Sequence, residues 1–147
     1  MDLIKVGFTG TQVGMTDAQK TSIVKQLTRW AKQHSSLEAH HGDCVGADAD
    51  FHNICLANWP HELQVVLHPP IIPHKRSFCQ SEGQINLPQK DYISRNHDIV
   101  DAVDCMIATP KETTMQWRGS GTWATIRYSQ KISKPLRLFY PDGKTHL

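Results

Sequence analysis

Several features that commit a chain to a function are missing from this sequence. No apolar run approaches the ~20 residues that a membrane-spanning helix needs. Met1 to Gly10 holds a brief apolar strand where an export signal would carry a charged segment and a longer apolar one, so the expectation is a soluble, cytoplasmic protein with no membrane partner. The four cysteines, Cys44, Cys55, Cys79 and Cys105, stand far apart without a Cys-x-x-Cys pair, which removes a zinc ribbon and a dithiol redox motif. A formal charge of +2 and the lack of any Lys/Arg run give no electrostatic footprint for DNA or RNA, so nucleic acid is not an expected partner. The Gly-Lys-Ser/Thr ending of a P-loop is absent, and so is His-Glu-x-x-His. Nine histidines make chance groupings such as His40, His41, Asp48 and His52 unsurprising, and neither a metal nor a cofactor is expected.

What is present is an alternation of apolar strands and amphipathic helices. With 147 residues and 39% hydrophobic content the chain suits one domain, residues 1–147, and is too short for two. Leu3 to Phe8 reads as a strand, and Thr16 or Asp17 caps a helix whose apolar face runs through Ile23, Leu27 and Trp30. Glu38–His41 is a second strand, turning through Gly42–Asp48 into a helix that reaches about Asn58. Leu63–His68 is a third strand, closed by Pro69 and Pro70. Pro69 to Gln89 reads as a long irregular loop, carrying Lys75 and Arg76. A helix from Tyr92 to Val103, a strand at Cys105–Ala108, a helix from about Ser120 to Ile132 and a strand at Leu136–Tyr140 complete the pattern. This predicts an α/β, Rossmann-like three-layer sandwich around a mostly parallel sheet of about five strands, ordered 3-2-1-4-5.

Three glycine-containing loops follow strands, and in such a sheet all three fall on the ligand-binding edge. The first is Thr9–Gly10–Thr11–Gln12; the second includes Gly42 and Asp43. The third is Trp117–Arg118–Gly119–Ser120–Gly121–Thr122–Trp123, at a helix start whose free N–H groups attract an anion, with Thr122 as a candidate cap. Arg118 adds a fork of donors for phosphate, while Trp117 and Trp123 offer flat faces to a base. Asp43 is read as a ribose contact and Asp48 as a helix cap.

Taken together, Phe8–Thr9–Gly10, the run His41 to Asp48, Arg95–Asn96 followed by Asp101 to Ala108, and Gly119 to Trp123 resemble the SLOG superfamily. This Rossmann-like group includes the DNA-processing Smf/DprA proteins, the LOG phosphoribohydrolases and small stand-alone members of the YpsA/YspA type. The resemblance covers most of the chain. It implies a nucleotide or nucleotide-derived ligand held over the glycine loops, within an oligomer, with Arg95 and Asn96 among its contacts. From the residues alone, Arg95 has the alternative of pairing with Asp98 one turn on. The LOG enzymes carry Pro-Gly-Gly-x-Gly-Thr-x-x-Glu; here Gly119, Gly121 and Thr122 match, but Thr125 fills the glutamate position. A hydroxyl neither stabilises a sugar cation nor activates water well, so binding without turnover is the leading expectation, and no catalytic residue is assigned. A LOG-like phosphoribohydrolase and a Smf/DprA-like single-strand binder are the alternatives. Bulky aromatics on the helices, Trp30, Trp59, Trp123 and Tyr128, add the expectation of a homodimer or dimer of dimers.

Overall fold

The computed structural model describes residues 2–145. Their elements run β1 (Leu3–Gly10), α1 (Asp17–Gln33), β2 (Ser36–His41), α2 (Ala47–Asn58), β3 (Leu63–Leu67), β4 (Ile85–Asn86), α3 (Tyr92–Ala102), β5 (Cys105–Thr109), α4 (Gly121–Lys131) and β6 (Leu136–Leu138), with a single 3₁₀ turn at Pro73–Lys75. All six strands pair in parallel, in the order β4-β3-β2-β1-β5-β6. The expected order is therefore present with one addition. β4 is a two-residue edge strand inside the segment read as irregular. Both its residues are exposed, and its pairing with Val66 and Leu67 leaves no periodic trace in the sequence.

Parallel strands covered on both faces bury side chains in both directions, and β5 shows it directly, all five residues being buried. Cys105 and Ile107 join the cluster formed with α1 and α2, while Met106 and Ala108 turn to residues of α3 and α4. The helices divide accordingly, α1 packing on α2 and α3 on α4. Chain connections thus leave β1 and β5 toward opposite sides of the sheet. The crevice between their carboxyl ends is the point where such folds hold ligands.

Local chemistry explains the helix starts. Thr16 and Gln19 form a reciprocal capping box for α1, with bonds of 3.1 and 3.0 Å. For α4 the cap is Ser120, whose hydroxyl accepts from Trp123 N at 3.1 Å, so Thr122 sits inside the first turn. For α2 the cap is Gly46, at φ +90°, where a Cβ would lie 2.2 Å from the Gln12 carbonyl oxygen. Asp48 consequently does not cap its helix.

The aromatics offered as interface surface pack within the monomer. Trp30 and Trp123 are buried, Trp59 lies against the α1–α2 core, and Tyr128 stacks on His97 at 3.7 Å while its hydroxyl donates to Asp101. That removes the surface argument for a second subunit.

Candidate functional site

A cavity of about 430 Å³ opens at the β1–β5 crevice, within the range of small-molecule sites. Its floor is the β1 loop, Thr9 to Val13. Because the sheet runs β2-β1-β5, two walls rise from opposite sides of this floor. One comes from the β2 side and carries Gly42, Cys44, Asp48 and Lys75; the other comes from the β5–α4 loop and carries Lys111, Glu112, Gln116 and the stretch from Arg118 to Thr122. Tyr92, Arg95, Asn96 and Ile99 of α3 close the cavity.

On the β5 side the backbone is open to a ligand. Ser120 satisfies Trp123 N and the Ser120 carbonyl accepts from Ala124 N, but among the described residues no acceptor meets the N–H groups of Gly121 and Thr122. Unpaired amides at a helix start carry partial positive charge. Arg118 and Lys111 stand beside them, and among the described residues neither has an ion-pair or ring partner. Gly119, at φ +74°, has open space where a side chain would be, which leaves the approach to these amides unobstructed.

The β2 side is built differently. Asp43, fully buried at φ +54°, accepts from Arg76 Nε at 2.6 Å and from Cys79 N at 2.9 Å, while its carbonyl takes Ser77 N at 2.8 Å. Val45 N donates to Lys75 O at 3.0 Å. Residues 75–80 are thereby strapped onto the 42–48 loop, and Lys75 is delivered to the cavity. Behind the strap, Asp43 N donates to His41 Nδ1, which fixes the His41 proton on Nε2; that N–H meets His52 Nδ1 at 2.9 Å, and His52 Nε2 then donates to Gln80 O.

This histidine chain also sorts the grouping seen in the sequence. His41, His52 and Cys79 bring potential metal-ligand atoms within 4.8 Å of one another. A cation on His41 Nε2 would move the ring proton to Nδ1, against the Asp43 N–H, so the ring nitrogens serve better as hydrogen-bonding groups than as ligands. His40 belongs to a separate chain, with Glu38 at 2.6 Å and His68 at 2.8 Å. Burial holds all three of His40, His41 and His68 below the ordinary imidazole value, His68 at about 4.

Arg95 is buried and does not pair with Asp98, which binds Lys90. Its Nη1 donates to Gly42 O at 2.6 Å and to His68 O at 3.1 Å, and its Nε donates to Asn96 Oδ1 at 2.8 Å. Much of its donor capacity therefore goes to holding the loop, leaving Nη2, near Cys44 Sγ, as its freest nitrogen. Asp48 lies in the same deep corner, taking Cys44 N at 3.1 Å. Burial pushes its carboxyl up to about 6, against the opposing pull of Arg95.

Of the residues expected from the sequence, Thr9, Gly10, Thr11, Gln12, Gly42, Arg95, Asn96, Arg118, Gly119, Ser120, Gly121 and Thr122 all line this cavity. Three do not. Asp43 is the buried anchor of the strap. Trp123 is buried against Ala108, Ile126 and Leu138, with its indole N–H on Glu112 at 3.0 Å. Trp117 is 73% exposed, off the cavity wall, with the Arg127 guanidinium 5.1 Å from its ring. Conversely, Tyr92, Lys111 and Glu112 line the cavity without any motif to mark them, and Asp48 lines it without capping α2. The irregular segment around Lys75 was itself the available signal, since long loops in compact domains are commonly functional. Compared with protein-family models and with curated proteins, the chain matches none.

Proposed function

We propose that the cavity binds a nucleotide or nucleotide-derived small molecule and holds it without turnover, as a sensor, carrier or sequestering protein. The observation that carries this reading is the pair of unaccepted amides at Gly121 and Thr122 flanked by the unpartnered cations Arg118 and Lys111, a seat for phosphate. Across the floor, Asp48 supplies a carboxyl suited to sugar hydroxyls. The position where a LOG-type enzyme carries its glutamate holds Thr125, buried and donating to Gly121 O at 2.8 Å. Calorimetry with AMP, ADP-ribose, NAD and cyclic nucleotides tests the reading. Binding of at least one, weakened about tenfold by Arg118→Ala and by added salt, is the expected result. Failure of the whole panel to bind would defeat it.

A second reading, hydrolysis of the glycosidic bond of a nucleoside monophosphate, has one observation in its favour. Asp48 places a carboxyl titrating near neutrality inside the cavity, able to take a proton from the water that adds to C1′ as the base departs. Release of free base from AMP, abolished in Asp48→Asn, would promote it above the first.

A further inference from the structure

Apart from Arg95, whose donors are largely spent on Gly42 O, His68 O and Asn96 Oδ1, the cavity's cations come from two separate parts of the chain. Lys111 and Arg118 rise from the β5–α4 loop beside the open amides of α4. Lys75 reaches the cavity from the strap on the β2 side, and β2 and β5 flank β1, so the strands beneath the two groups are two spacings, about 10 Å, apart. A single phosphate seated at α4 leaves Lys75 unused.

Lys75 is also unusually well placed for a side chain that makes so few bonds. Its backbone is fixed by Val45 N, and the strap around it is pinned by three bonds to Asp43 and one from His52. Its ammonium sits 5.6 Å from the centre of the Tyr92 ring, and among the described residues no carboxylate pairs with it. Tyr92 turns its ring to this ammonium, while its buried hydroxyl points toward Gln12. A held cation on the cavity wall, without a carboxylate partner among the described residues, forms a second place for an anion.

Resting on the nucleotide-binding reading above, we infer that the ligand carries two separated phosphoryl groups. One is seated on the α4 amides with Arg118 and Lys111, and the other on Lys75. A nucleoside 3′,5′-bisphosphate or a 3′,5′-linked dinucleotide with a terminal phosphate has this form, with a sugar between its charges. A diphosphate chain, whose two groups adjoin, does not.

Calorimetry on the full chain separates these classes, using the mono-, 5′-di- and 3′,5′-bisphosphates of adenosine and guanosine with the wild type, Lys75→Met, Lys75→Gln and Arg118→Met. The 3′,5′-bisphosphate is expected to bind about tenfold more tightly than the 5′-monophosphate. Either Lys75 variant should remove that margin while leaving monophosphate affinity within about twofold, whereas Arg118→Met should weaken both ligands about tenfold. The thermal midpoint of the unliganded Lys75 variants should fall by no more than a few degrees, since among the described residues the ammonium has only its ring contact with Tyr92 to lose. A margin that survives both Lys75 substitutions, or a 5′-diphosphate that matches the 3′,5′-bisphosphate, overturns the two-anion assignment while leaving nucleotide binding intact. Binding by no nucleotide overturns both.

Discussion

The two walls of the cavity solve the problem of presenting polar groups in opposite ways. On the β2 side, Asp43, Arg76, His41 and His52 are buried or half-buried, and each is engaged by a partner that another segment supplies. On the β5 side, Arg118, Lys111 and the Gly121 and Thr122 amides have no protein partner among the described residues, and Gly119 faces open space. The first wall is satisfied within the chain; the second holds hydrogen-bonding capacity that no described residue uses. Satisfaction therefore marks the scaffold, and its lack is what the proposed binding site rests on.

That contrast can be broken most directly at Asp43. Asp43→Ala strands the Arg76 guanidinium and the Cys79 amide, and should cost about 3–5 kcal/mol in denaturant unfolding. Removing the corresponding carboxylate of the other wall, by Glu112→Ala, frees only the Trp123 indole N–H and should cost about 1 kcal/mol. Comparable losses from the two substitutions would mean that the walls are equally structural.

A smaller effect, of opposite sign, is expected at Asp48. Its proton is held to about pH 6 in the folded chain, whereas the free side chain releases it near 3.8. The folded state is therefore progressively disfavoured as pH rises through that interval. Asp48→Asn should stabilise the protein by about 2–3 kcal/mol above pH 7, with the difference vanishing near pH 4. His40, His41 and His68 slope the other way, because their depressed values contribute stability that is lost as pH falls below about 6.5. Subtracting the wild-type pH profile from that of Asp48→Asn cancels the histidines and isolates the carboxyl.

The smallest effect belongs to Gly119→Ala. No atom obstructs the new methyl, so only the left-handed backbone resists it, at about 1 kcal/mol in thermal unfolding. A large loss there would show that the β5 wall is packed more tightly than its open amides suggest.

The same division explains what could be read from the sequence. The strands richest in apolar residues, β1, β3 and β5, and their order follow from burial on both faces and from crossover handedness, which are properties of whole segments. The floor of the site and its β5 wall were legible because glycines after strands mark places where backbone meets ligand. Asp43, Trp117 and Trp123 were not, since a residue type states what a side chain can do and leaves open which way it turns. Asp43 was drawn inward by Arg76, thirty-three residues away, and Trp123 by the helix face on which it falls. Lys75 shows the converse. It belongs to the cavity only because Asp43 draws its segment there.

The two outer strands have a consequence for the protein in a crowded solution. A long, unpaired β-edge is a template on which another chain can add itself, strand by strand, into an aggregate. This sheet ends on one side with the two residues of β4 and on the other with the three of β6, just beyond which Phe139 pairs with Thr145. Its longest strand, the eight-residue β1, lies inside, between β2 and β5. The edge strands are short, so the sheet offers a neighbour only brief stretches of backbone to zip onto at either flank.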